Sequence, residues 1–271
     1  MSEAPSDRAH READEDVDVH WGHSEEKIRF YLVVGPICMT IPSLHEILIV
    51  DYLIANVYRI LYKGMVLAVA GGGSASVKLW DTATWKLIST LSVPRPEGSK
   101  PSDKTGSSKF VLSVAWSPDG RFLACGSMDG TISVFDVARA KFLHHLEGHF
   151  MPVRSLAYSP VDSRVLFSAS DDAHVHMYDA EGKTMIGAMS GHASWVLSLD
   201  VSPDGAALAT GSSDRTVRLW DLSMRASVQT MTNHNDQVWG VAFRPPGSDG
   251  GRSGRLASVS DDKCISLYDY S

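Results

Sequence analysis

The sequence predicts an all-β fold built from one repeated unit of short antiparallel strands. Residues 191–221 show the unit: apolar residues alternate over Val196–Val201, Ala207–Gly211 and Val217–Trp220, and period-two alternation is typical of strands. Pro-Asp-Gly and Ser-Asp sequences separate these runs, as in hairpin turns. Because the unit recurs along the chain, the fold is predicted to be a series of similar sheets.

The recurring unit opens with Gly-His or Asn-His in its three clearest copies and closes with an aromatic residue and an aspartate. The closing aspartates lie 55, 43, 42 and 48 residues apart; they are Asp81, Asp136, Asp179, Asp221 and Asp269. WD repeats have a period of roughly 40–45 residues, and the chain resembles that family. The resemblance implies a WD-repeat β-propeller of the seven-bladed family, with about five complete repeats over residues 64–271. Each blade would be a four-stranded sheet stacked on its neighbours.

The sequence leaves closure of the propeller ring open. Seven blades of about 43 residues would need about 300 residues, whereas only 207 follow residue 64. In WD propellers the outer strand of the closing blade usually comes from the N-terminus, which pairs an otherwise exposed strand edge. Here the N-terminal segment does not resemble a repeat.

Two segments precede the repeats. Residues 1–27 are predicted to be an acidic disordered tail, because charge dominates and apolar content is low. Residues 28–63 form an atypical apolar segment that is not WD-like. Its longest uncharged run, Phe30–Leu44, is too short for the roughly 20 residues of a membrane helix, so no membrane association is expected.

Charge and cysteine content limit the classes of partner and ligand that are expected. Residues 1–26 hold nine acidic residues against Arg8 and Arg11, which accounts for the whole net charge of −7. A neutral remainder lacks the basic footprint that drives phosphate binding, so direct nucleic-acid binding is not expected. The three cysteines lack metal-site spacing, and no phosphate loop or calcium loop is present. We therefore predict no metal, no cofactor and no small-molecule substrate.

A histidine, a hydroxyl, an aspartate and an aromatic residue recur within the repeats. In the WD family these positions form a buried hydrogen-bonded network, and polar groups inside a packed sheet need such partners. The resemblance assigns this network to His192, Thr210, Asp214 and Trp220, to His149, Ser168 and Asp172 with Tyr178, and to His234, Ser258 and Asp262 with Tyr268. In another repeat Asp129 remains, but Cys125 and Phe135 replace its partners.

The same residue types also suggest a hydrolase triad. A triad needs one exposed nucleophile beside one oxyanion site, whereas this set recurs once per repeat. The sequence therefore favours a structural network and predicts that the chain is not an enzyme.

Partner binding is expected on the loops, which a rigid sheet scaffold presents. Aligned repeats place Phe110 and Trp195 just before an inner strand, and Arg154 and Trp239 one residue after its first valine. Exposed tryptophan and arginine are frequent interface anchors, and these four residues are our predicted partner-binding set. Packing of Trp195 and Trp239 between blades is the alternative.

A narrower resemblance involves residues 149–183 and 255–271, together with SWVLSLDVSPDG and NHNDQVWGVAFRPPG. These stretches resemble the eukaryotic WD-repeat subunits of the superkiller complex, and most nearly their plant form. The resemblance implies a non-catalytic scaffold in cytoplasmic 3′–5′ mRNA decay. It also implies a second place in the nuclear RNA polymerase II-associated factor complex, which supports elongation and histone methylation. The expected partners are protein subunits of both complexes, in nucleus and cytoplasm. The alternative is another WD adaptor, such as a substrate receptor of a ubiquitin ligase.

Overall fold

The computed structural model describes residues 60–63, 66–70, 75–81, 83–84, 86–94, 110–245 and 254–270. Within these ranges the chain forms nineteen strands and no helix. The first two sheets contain β1 (Ile60–Lys63), β2 (Val66–Ala70), β3 (Ser76–Asp81) and β4 (Leu87–Ser92), then β5 (Val111–Trp116), β6 (Phe122–Ser127), β7 (Ile132–Asp136) and β8 (Lys141–Leu146). The next two contain β9 (Val153–Tyr158), β10 (Val165–Ser170), β11 (His174–Asp179) and β12 (Thr184–Ser190), then β13 (Val196–Val201), β14 (Ala207–Ser212), β15 (Val217–Asp221) and β16 (Ala226–Met231). The last contains β17 (Val238–Phe243), β18 (Gly254–Ser260) and β19 (Ile265–Tyr270).

Each sheet is an antiparallel meander in which strands pair in chain order. The first four sheets have four strands and the fifth has three; we call them blades 1 to 5. In blade 4, for example, Leu199 pairs with Thr210 and Thr210 pairs with Arg218. The all-β prediction and the WD-propeller class are confirmed for the described residues, whereas closure of the ring is not shown.

The core lies between neighbouring blades rather than within them. Four clusters of buried side chains each combine residues of two consecutive blades, for example Val217 and Leu219 of blade 4 with Val238 and Phe243 of blade 5. The inner strands β5, β9, β13 and β17 contact one another in order. Since a single sheet cannot bury its own faces, this stacking provides the hydrophobic stabilisation of the fold.

Blade 1 begins before the predicted start of the repeats at residue 64. Strand β1 pairs antiparallel with β2, with Ile60 opposite Val69 and Lys63 opposite Val66. The inner strand of blade 1 thus comes from the end of the segment 28–63, because pairing depends on backbone hydrogen bonds and needs no Gly-His signature. The predicted tail and residues 28–59 lie outside the described residues, and those assignments stay predictions.

The outward face of blade 5 differs from that of blade 4. Val217 and Leu219 of blade 4 are 0% and 6% exposed, whereas the equivalent Ile265 and Leu267 of β19 are 72% and 74% exposed. Among the described residues no blade packs on these two side chains. The described part of the chain contains no helix that is long and apolar enough to cross a membrane.

Candidate functional site: a buried polar network below a loop surface

The predicted network of blade 4 is one connected chain of hydrogen bonds. The Trp220 indole Nε1–H donates to Thr210 Oγ1 at 2.9 Å, and the Thr210 hydroxyl donates to His192 Nε2 at 2.7 Å. The other ring nitrogen, Nδ1, donates to Asp214 Oδ2 at 2.8 Å. Trp220 and Thr210 are almost completely buried, so each polar atom depends on this chain for a partner.

The carboxylate of Asp214 connects this buried network to the loops above it. It accepts the Ala193 backbone N–H at 3.0 Å and the Thr216 hydroxyl at 2.6 Å. Burial opposes ionisation, but the bonds from His192, Thr216 and Ala193 outweigh it and hold the pKa of Asp214 well below its usual range. Asp214 is therefore ionised at neutral pH, and its bond to the Ala193 N–H holds the loop that enters blade 4.

Blades 3 and 5 repeat the arrangement with tyrosine in place of tryptophan. In blade 5, His234 bonds to Asp262 Oδ2 at 2.9 Å and to Ser258 Oγ at 2.7 Å, and Ser258 Oγ lies 3.2 Å from the Tyr268 hydroxyl. Asp262 also accepts the Asn235 backbone N–H at 2.9 Å, the first cause of its lowered pKa. The structure thus brings these predicted residues together as expected from the resemblance.

In blade 3 the network includes an extra histidine. His149 bonds to Asp172 Oδ2 at 2.7 Å and to Ser168 Oγ at 2.6 Å. The buried ring of His176 stacks on the His149 ring with centroids 3.9 Å apart. Burial, together with the neighbouring His149, lowers the pKa of His176 to about 4, so this ring is neutral at physiological pH. Sequence reasoning did not find this pair, because strand pairing and stacking bring the rings together across 27 residues of chain.

These networks have the distances of a catalytic triad but not its accessibility. Ser168 and Thr210 are 0% exposed and Ser258 is 1% exposed, so a substrate carbonyl cannot reach these three hydroxyls. Catalysis needs a site where the reacting atom contacts both the nucleophile and the oxyanion donors. In blade 2, Cys125 occupies the hydroxyl position, and burial raises the pKa of its thiol well above the usual value. The hydroxyl–histidine sets therefore satisfy buried polar groups and are not nucleophiles.

The four predicted partner-binding residues all lie at one end of the blades. Phe110 directly precedes β5 and Trp195 directly precedes β13, while Arg154 and Trp239 are the second residues of β9 and β17. Trp195 and Trp239 are 45% and 44% exposed, so neither is packed fully between blades. These residues and the turns that contain Asp172, Asp214 and Asp262 together form what we call the loop surface. Partner binding by the predicted set stays a prediction.

The Arg154 side chain forms an ion pair with another residue of blade 3. Its guanidinium makes a two-pronged pair with Asp171, with Nε 2.9 Å from Oδ1 and Nη2 2.7 Å from Oδ2. The Asp171 side chain is 3% exposed. The Arg154 guanidinium carbon also lies 6.0 Å from the ring centroid of Trp195, within cation–π range. Arg154 therefore lies beside Trp195 on the loop surface, a proximity that alignment of the repeats could not show.

A cleft opens on the loop surface between blades 4 and 5. Its volume is about 460 Å³, and its lining residues are Ser194, Trp195, Ser213, Arg215, Asn235, Asp236 and Gln237. Of these, only Trp195 belongs to the predicted set. The others were missed because they lie in turns whose polar residues are typical of any loop. Among the described residues no group of three or more histidine, cysteine or acidic side chains is placed to hold a metal ion.

Repeated four-stranded sheets with buried histidine–aspartate networks define a β-propeller protein of the WD type. The family model "WD domain, G-beta repeat" matches residues 100–136, 140–179, 183–221 and 225–269. The chain belongs to this family. The last three matched stretches each combine the outer strand of one blade with the three inner strands of the next, so the sequence repeat joins neighbouring sheets.

Known relatives agree with this assignment. The chain is 78% identical over 209 residues to WD repeat-containing protein VIP3 of Arabidopsis thaliana, covering 77% of this chain and 65% of the relative. It is 36% identical over 143 residues to WD repeat-containing protein slp1 of Schizosaccharomyces pombe, covering 52% and 29%. A chain in the crystal structure of the mitotic checkpoint complex superposes with a TM-score of 0.63 at 31% identity, covering 75% of this chain and 59% of that chain. The chain thus spans about two thirds or less of each of these relatives.

Proposed function

We propose that the chain is a non-catalytic scaffold subunit that binds other proteins through its loop surface. We propose two assemblies for it, the superkiller complex of cytoplasmic mRNA decay and the nuclear RNA polymerase II-associated factor complex, and the resemblance described above supports both. The observation that carries the proposal is the 78% identity to VIP3 over most of this chain. Membership of both complexes implies that the protein is present in the nucleus and in the cytoplasm.

The geometry of the loop surface supports a binding role. Trp195 and Trp239 each present a large aromatic surface to solvent, and tryptophan and arginine are the residues most enriched among interface anchors. Buried carboxylates and the Arg154–Asp171 pair hold the surrounding loops. A partner therefore meets a rigid surface and loses little free energy to ordering of the loops.

The proposal is tested by identifying, by mass spectrometry, the proteins that co-purify with the tagged chain from its own cells. We expect subunits of both complexes. Recovery of ubiquitin-ligase subunits instead would support the alternative adaptor class, and recovery of chaperones alone would contradict the scaffold role of this chain.

The site is tested with Trp239→Ala, for which we expect at least about tenfold lower recovery of partners, as for an interface anchor. Its melting temperature should stay within about two degrees, because an exposed side chain contributes little to stability. The matched control is Met224→Ala, which removes a 65% exposed side chain at the opposite end of the blades. Equal partner recovery by Trp239→Ala and the wild type would remove Trp239 from the interface.

Arg154→Ala is a weaker test than Trp239→Ala. It leaves the buried carboxylate of Asp171 without its guanidinium partner, and such a buried charge costs free energy when its partner is removed. A fall in partner recovery would then mix lost binding with lost stability. The double variant Arg154→Met with Asp171→Leu removes both charges together and separates the two effects.

A further inference from the structure

We propose that the cleft between blades 4 and 5 binds an acidic side chain of a partner protein, next to an apolar side chain that contacts Trp195. This inference deepens the proposed function, on which it rests, by stating the chemistry of the partner segment.

The cation that would bind the acidic group is Arg215. Its side chain is exposed and lines the cleft, and no ion pair to it is found within the described ranges. Its backbone adopts a left-handed conformation, with φ of 71°, and its N–H donates to Ser212 O at 3.2 Å. A guanidinium presents a planar fork of donors that fits a carboxylate. Arg215 therefore offers the cleft a guanidinium that is unpaired within the described ranges and can bind a carboxylate.

The walls of the cleft complement such a ligand. Ser213 Oγ donates to Ser194 Oγ at 2.8 Å, and the amides of Asn235 and Gln237 add further hydrogen-bonding groups. Trp195 forms the apolar wall and is nearly half exposed. A polar end and an aromatic wall within one cleft match an acidic side chain that has an apolar neighbour along the chain.

Both walls are held before any ligand arrives. The backbone N–H of Ala193, beside Ser194, donates to Asp214, and the N–H of Asn235 donates to Asp262. Ser213 N donates to Trp195 O at 2.9 Å. Because the buried networks fix these loops, binding costs little conformational entropy.

Asp236 also lines the cleft, and its negative charge would favour a basic ligand over an acidic one. Its Oδ1 atom already accepts the Gln237 backbone N–H at 2.8 Å, which leaves less of this carboxylate for a ligand. Arg215 has no such internal acceptor for its guanidinium among the described residues. The observations therefore favour an acidic ligand, and selection of a basic one is a possible outcome of the test.

The test is a selection of short random peptides displayed on phage against the full chain and two variants. Arg215→Glu reverses the charge in the cleft. Arg225→Glu is the matched control, since Arg225 is also exposed and also left-handed, with φ of 52°, but lies at the other end of β15. Wild type and the control should enrich peptides with aspartate or glutamate beside an apolar residue. Arg215→Glu should lose this enrichment, and a selected peptide should bind it at least tenfold more weakly.

Three results would overturn the inference: no enrichment of acidic peptides, enrichment of basic peptides instead, or unchanged enrichment of acidic peptides by Arg215→Glu. Both arginine variants should keep the wild-type melting temperature, because both side chains are solvated. The co-purification experiment distinguishes failure of this inference from failure of the proposed function. Recovery of both complexes without acidic selection refutes only this inference, whereas acidic selection without those complexes refutes only the proposed function.

Discussion

Removal of the blade 4 imidazole measures how far the buried network acts as a unit. His192→Ala takes one partner from Thr210 and one from Asp214. Thr210 keeps the bond from Trp220, and Asp214 keeps those from Ala193 and Thr216. An orphaned buried group costs ~1–3 kcal/mol. Because both groups keep other partners, each should cost an amount near the lower end of this range. We therefore expect His192→Ala to lower the free energy of unfolding by about 2–3 kcal/mol in total.

A double-mutant cycle with Asp214→Ala tests the coupling. If the imidazole and the carboxylate stabilise the fold through each other, the double variant should be less destabilised than the sum of the single variants by about 1 kcal/mol. Urea unfolding monitored by tryptophan fluorescence gives the free energies, and equal m-values would show that the same unfolding transition is compared.

The chain contains its own control for this cycle. Asp129 occupies the same turn position in blade 2, where Cys125 and Phe135 replace the hydroxyl and the indole, and it accepts the Thr131 N–H at 3.1 Å. Asp129→Ala should cost no more than about 1 kcal/mol, as for one ordinary hydrogen bond. The reasoning is refuted if Asp129→Ala costs as much as Asp214→Ala, or if the coupling is zero within about 0.3 kcal/mol.

Two further outcomes follow from the blade 2–blade 3 region. Because folding lowers the pKa of His176 from 6.5 to about 4, stability should be complete above pH 6.5 and fall between pH 6.5 and 4, by up to about 3 kcal/mol. In urea titrations at several pH values, His176→Gln should flatten this dependence and the more exposed His174→Gln should not. Gly130→Ala should lower the free energy of unfolding by about 1–3 kcal/mol, because the added Cβ would lie 2.6 Å from His149 O at a φ of 85°. Wild-type stability of Gly130→Ala would show that the turn shifts freely.

The inner strands were predictable because their side chains alternate between two buried faces. The runs predicted at Val196–Val201 and Ala207–Gly211 are strands Val196–Val201 and Ala207–Ser212 in the structure. The outer strands gave a weaker signal. Most side chains of β16 are exposed or half-buried, so hydrophobic alternation is lost, and only the period of the WD family implied a fourth strand.

The composition of the network was predictable, but the loop surface built on it was not. Family positions sufficed to place His192, Thr210 and Asp214 together. The pair of Arg154 with Asp171, and the proximity of Arg154 to Trp195, depend on which side chains meet across strands and blades. A single sequence carries no record of such contacts. Arg215 was overlooked for the same reason, since its cleft requires loops from two blades.

The buried networks and the cleft are physically connected, and this connection explains why ionised aspartates lie within a fold that pays to bury them. Neutral residues could fill the same space between sheets. A carboxylate, however, can accept bonds from the imidazole below and from a loop N–H above, as Asp214 does with His192 and Ala193. Asp262 does the same with His234 and Asn235. Two of the three loops that line the cleft, those that enter blades 4 and 5, are thus fixed by the same groups that stabilise these blades. A scaffold that presents a binding surface on short loops needs this coupling, because otherwise binding would first have to order those loops.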